Sequence, residues 1–110
     1  MKRIYISGKI TGIEKEAPKL FLMAEHRFLI LGFDVINPMT LNHNHDLSWL
    51  NYMRVDIKAL VSCDSIFMLD NWLDSKGAII EYKIAKMLGH EIQYEKKPNL
   101  IKKWLYLTFK

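Results

Sequence analysis

Apolar and polar positions change rhythm several times along the chain. RIYIS at 3–7 is β-branched and aromatic and ends at Gly8, which reads as a strand. EAPKLFLMAEHRFLIL (16–31) follows. Its Ala17, Leu20, Phe21, Ala24, Phe28 and Leu31 recur at helical spacing, and Pro18 suits a first helical turn. Gly32 closes that helix, FDVIN (33–37) reads as a second strand ended by Pro38, and MTLNHNHD (39–46) as a polar loop. A second helix is predicted from about Ser48 to Val61, with Trp49, Leu50, Met53, Ile57, Leu60 and Val61 on one arc. SIFML (65–69) is almost wholly apolar, as a strand buried on both faces should be. DNWLDSKGAIIE (70–81) opens as a loop and passes through Ser75 and Gly77 into a helix of about 76–88, stopped by Gly89. EIQYE (91–95) is a fourth strand, and NLIKKWLYLTF fits a short helix or a fifth strand equally well.

Strands alternating with helices over short connections predict βαβ units around a parallel sheet. The expectation is an α/β fold: a single Rossmann-like or flavodoxin-like domain, three-layered, with four or five parallel strands. It would span residues 1–110, with 1–95 as the core and 96–110 as a basic and apolar tail. Such sheets bind ligands at the carboxyl ends of their strands, near the switch in strand order. That places a site by the loops after Ser7, Asn37 and Leu69.

Two acids fall where acids are unusual. On a helical wheel Ile80, Ile84, Met87 and Leu88 set the apolar arc of the third helix, and Lys83 and Lys86 face away. Glu81 lies on the shoulder of that arc, with Gly77 and Ala85 one turn away on either side. Small neighbours suggest space kept for something else, and a nearby helix N-terminus favours an ionised carboxylate. The plainer reading is a rim acid paired with Lys or Arg. Asp56 stands similarly at the edge of the second helix's arc, beside Trp49 and Met53. Paired carboxylates in one pocket can divide the work, one as ionised nucleophile and one as proton donor.

Other candidates carry two readings each. Ser75 caps the third helix or helps hold an anion there with Gly77. Trp72 stacks on a planar ligand ring or covers the core. Gly8 suits a tight turn where backbone passes close to a ligand or a helix. YISGKITG is neither a P-loop nor a dinucleotide-binding fingerprint. His43, His45 and Asp46 invite a metal, but no third ligand follows at suitable spacing, so no metal is expected.

Composition narrows the class further. In 110 residues, half are hydrophobic and a quarter charged, which is globular and apolar enough to hint at a buried subunit surface. The single cysteine, Cys63, excludes an internal disulfide and sits in an apolar run as a small hydrophobe. No signal-peptide core and no bilayer-length apolar run stand out, so the chain reads as cytoplasmic and without a membrane partner. The net charge of +4 suits an anionic small molecule, and much of it lies in KKPNLIKK (96–103), weak grounds for nucleic-acid binding.

YISG, NP, YMRVDI and CDSIFML…W…SKGAIIEYKIAKMLG together resemble the nucleoside 2-deoxyribosyltransferase superfamily over residues 3 to about 94. The likeness is greatest to its short bacterial and phage members, and a related branch hydrolyses 2′-deoxynucleoside 5′-monophosphates. The resemblance implies Glu81 as the nucleophile at the anomeric carbon, Asp56 as the acid assisting departure of the base, and Tyr5 beside nucleophile and sugar. The expected substrate-binding set is Ser7, Gly8, Lys9, Ser75, Gly77 and Trp72. Ser75 takes the position of a phosphate-binding Ser in the hydrolases, and Gly8, Lys9 and Gly77 would help cradle the phosphate. The resemblance implies no cofactor, a nucleotide or nucleoside as partner, and a homo-oligomer. Thr11 departs from the Arg that the hydrolases carry after the first strand.

Overall fold

The computed structural model describes residues 2–43 and 48–96. Over these the chain runs β1 (Arg3–Ser7), α1 (Ala17–Ile30), β2 (Asp34–Ile36), α2 (Trp49–Val61), β3 (Ser65–Met68), α3 (Lys76–Met87) and β4 (Glu91–Tyr94). Single 3-10 turns at Pro38–Thr40 and Trp72–Asp74 interrupt the loops after β2 and β3. The sheet is wholly parallel in the order β2-β1-β3-β4. Strand order therefore reverses between β1 and β3, which opens a crevice at their carboxyl ends.

Alternation along the two central strands builds the layers. Ile4, Ile6, Phe67 and Leu69 pack with Phe21, Ala24 and Phe28 of α1 on one face. Tyr5, Ile66 and Met68 pack on the other with Leu60 of α2 and Ala78, Tyr82 and Ala85 of α3. Successive strand residues point to opposite faces, so both faces of β1 and β3 must be apolar, and all four residues of β3 are buried. This is the expected three-layer α/β fold, with four strands among the described residues.

Helix ends follow their local chemistry. Ser48 and Ser75 accept from the backbone N–H groups of Asn51 and Ala78, capping α2 and α3. Gly89, just past α3, has φ +78°, a conformation that side chains with a Cβ disfavour.

The buried faces of α2 and α3 are rotated from those expected. Met87 and Leu88 are 85% and 53% exposed, whereas Ala78, Ile79, Glu81, Tyr82 and Ala85 are buried. On α2 the buried residues are Met53, Asp56 and Leu60, with Trp49, Leu50 and Val61 exposed. Close approach of a helix to a sheet favours a strip of small residues, which Ala78 and Ala85 supply. As a result both acids lie within the buried strips and not at their edges. The tail beyond residue 96, with its helix-or-strand alternative, lies outside the described residues. Among those residues no helix is long and apolar enough to cross a membrane.

Candidate active site

Glu81 stands in the second turn of α3, only 5% exposed, where the helix crosses β1. Tyr5 and Ser7 are two apart on β1 and so share its α3-facing side. The Tyr5 hydroxyl donates to Glu81 Oε2 at 2.6 Å, and the Ser7 hydroxyl donates to Oε1 at 2.7 Å. Burial pushes the Glu81 carboxyl up to about 7 from the usual 4.5, the two hydroxyls pull it back down, and the charge of Asp56 adds to the rise. Tyr5 is held well above its ordinary 10, by burial first and by Glu81 and Asp56 next. Its phenol therefore stays a donor at any working pH.

Asp56 reaches the same space from α2. His43 Nε2, in the loop before α2, lies 2.9 Å from Asp56 Oδ1, and the His43 ring packs 4.5 Å from that of Tyr52. Asp56, Glu81, Tyr5 and His43 line one cleft of about 870 Å³. Gly77 lets the two helices meet there: a Cβ at Gly77 would come within 3.0 Å of Met53 Sδ. The room beside Glu81 that Gly77 leaves is thus taken up, in part, by Met53.

The mouth of the cleft carries Lys9, Thr11 and Glu14 from the loop after β1 and Asp74, Ser75, Lys76 and Gly77 from the start of α3. The Lys9 backbone N–H donates to Asn71 Oδ1 at 2.9 Å, fastening the loops after β1 and β3 together. Gly8 is required by close packing, since a Cβ there would meet Leu69 Cδ1 at 2.5 Å. Ser75 caps α3 and lines the cleft as well. The Lys76 ammonium sits 4.8 Å above the Trp49 ring.

Two residues of the sequence-derived substrate set stand elsewhere. Trp72 is buried in the core, its ring 4.7 Å from Tyr82, because the turn Trp72–Asp74 folds it inward and away from the cleft. Ser7 is fully buried, and its hydroxyl holds Glu81. Sequence reasoning missed His43 as the partner of Asp56, along with Tyr52 and Asn71. NHNHD drew attention to His43 only as a metal ligand, and helical or strand periodicity carries no signal for contacts made from a loop. Among the described residues no three His, Cys, Asp or Glu side chains are grouped to hold a metal, and His45 and Asp46 lie outside them.

A family model described as a domain of unknown function (DUF4406) matches residues 2–94. No curated protein matches the chain. Among solved structures, a 2-deoxyribosyltransferase from the psychrotolerant bacterium Bacillus psychrosaccharolyticus is similar with a TM-score of 0.67. The match covers 91% of this chain and 79% of that one at 21% sequence identity. That protein is described as a biocatalyst for the synthesis of antiviral and antitumoral nucleosides. The likeness places this chain in the deoxyribosyltransferase fold.

Proposed function

We propose, for a chain that belongs to the DUF4406 family and has the deoxyribosyltransferase fold, that it cleaves the N-glycosidic bond of 2′-deoxynucleoside 5′-monophosphates. The observation that carries this reading is the carboxylate of Glu81 at a cleft wall, both its oxygens held by the hydroxyls of Tyr5 and Ser7. A carboxylate oriented from both sides is preorganised to meet positive charge developing at an anomeric carbon.

Ionised Glu81 attacks C1′, a C1′–O ester bond forms, and the C1′–N bond breaks with its electron pair leaving on the base. Asp56 gives the base a proton as it departs. Water then attacks C1′, its proton passing to the Asp56 carboxylate as the C1′–O bond to Glu81 breaks, which completes a hydrolysis; a second base attacking through nitrogen and giving its N–H proton to Asp56 would complete a transfer instead. No cofactor takes part. Lys9, Ser75, Lys76 and Gly77 at the mouth would receive the 5′-phosphate. The exposed apolar residues of all three helices, Ile30 and Met87 foremost, support a homo-oligomer.

Glu14 and Asp74 at the same mouth favour a second reading, in which an unphosphorylated deoxynucleoside is the substrate. Chromatography of bases released from each deoxynucleoside and its 5′-monophosphate separates the two. Release from monophosphates by the wild type, and none by Glu81→Ala, is the expected result. Release only from free nucleosides selects the second reading. Tight nucleotide binding without release would make the chain a binding module.

A further inference from the structure

We infer that His43 is a positioning residue for the proton donor, and that the pair His43–Asp56 delivers the proton to the departing base as a unit. This rests on the glycosidic reading above. The observation is a 2.9 Å contact between two side chains that are 12% and 10% exposed, both at the wall of the cleft. Burying two ionisable groups together is unfavourable unless each satisfies the other. The fit of the His43 ring against Tyr52 fixes its orientation.

The contact does specific chemistry in each half of the reaction. In the state that cleaves, the Asp56 carboxyl has taken up a proton, and the His43 N–H holds its Oδ1. As the C1′–N bond breaks, its electron pair goes to the base nitrogen and the carboxyl proton moves to the same nitrogen. Asp56 is left as a carboxylate in a wall it shares with the Glu81 carboxyl. A carboxylate can only accept, so at 2.9 Å His43 Nε2 must then be the donor. A charge-assisted hydrogen bond of this kind is stronger than the neutral one it replaces. His43 thus stabilises Asp56 more after proton transfer than before it, which lowers the barrier to that transfer.

The role predicts a dependence on the leaving group that a merely structural residue would not show. Two substrates suffice: the natural deoxynucleotide or deoxynucleoside that the enzyme cleaves, whose base must be protonated to leave, and the p-nitrophenyl 2-deoxyriboside bearing the same 5-phosphate or 5-hydroxyl, whose leaving group departs as an anion. His43→Ala should slow release of the natural base by roughly 10- to 100-fold and change nitrophenol release by less than about threefold. His43→Gln, which keeps an N–H donor of similar reach, should recover most of the lost rate on the natural base. Equal loss on both substrates, or a Gln variant as slow as the Ala variant, would overturn the inference while leaving the glycosidic reading intact. A wild type that releases neither leaving group would overturn both.

Discussion

At the scale of single residues the proposed nucleophile poses one conflict: to attack, Glu81 would have to be ionised, yet it is buried deeply enough to resist ionisation. With its carboxyl pushed up to about 7, Glu81 resists ionisation well above the usual carboxylate range. The rate at low substrate should therefore rise with pH as Glu81 ionises, on a limb near 7, and fall again once Asp56 no longer carries the proton it must donate; a profile with no rising limb between pH 5 and 8 would contradict this. Tyr5 pulls the Glu81 value down through its hydrogen bond, so Tyr5→Phe should move the rising limb to higher pH. Stability should show the opposite trend. The folded-state pKa lies above the unfolded one, so the contribution of Glu81 is full below about 4.5 and is lost as pH rises through about 7. The loss is on the order of 3 kcal/mol, from about 1.4 kcal/mol per unit of pKa. Glu81→Gln should accordingly be more stable than the wild type at pH 8, with the difference shrinking towards pH 4.5 in urea titrations. A difference independent of pH would show that Glu81 does not titrate in this window.

At the scale of elements, what matters is how closely α2 and α3 approach. Gly77→Ala would set a Cβ 3.0 Å from Met53 Sδ, a contact that a flexible side chain can relieve by shifting. Since Met53 and Asp56 share the buried strip of α2, we expect a stability loss of about 1 kcal/mol but a larger fall in turnover. Thermal melts and rates measured on the same sample would check this, and unchanged turnover would separate Met53 packing from the site. The order and approximate bounds of these elements were legible in the sequence. β1 runs Arg3–Ser7 as its composition indicates, and the other strands differ from expectation only at their ends. The buried faces were less legible. Hydropathy placed Met87 and Leu88 inside, but helix-on-sheet packing selected Ala78 and Ala85 for their size and left the larger side chains outside. Glu81 and Asp56 could be found as misfits in an apolar pattern. His43 and Asn71 could not, because the His43 contact runs from a loop to α2 and the Asn71 contact bridges two loops distant in sequence, neither marked by periodicity.

At the scale of the whole molecule, a chain of 13.0 kDa leaves Leu22, Met23, Leu29 and Ile30 exposed on α1, and Trp49, Leu50, Val61 and Met87 on α2 and α3. If these faces pair between copies of the chain, sedimentation at micromolar concentration should give a multiple of the chain mass. A monomer at all concentrations would count against the homo-oligomer. In the proposed mechanism a covalent bond forms between Glu81 and the sugar, and that bond can be trapped. A 2′-fluoro-arabinosyl substrate analogue slows release of the sugar from the enzyme, because fluorine at C2′ disfavours the cationic transition state. Intact-protein mass spectrometry after acid quenching should then show one added sugar unit on the wild type, mapped to the peptide bearing Glu81, and none on Glu81→Gln. Base release that leaves no adduct, or that proceeds unchanged in Glu81→Gln, would contradict the account.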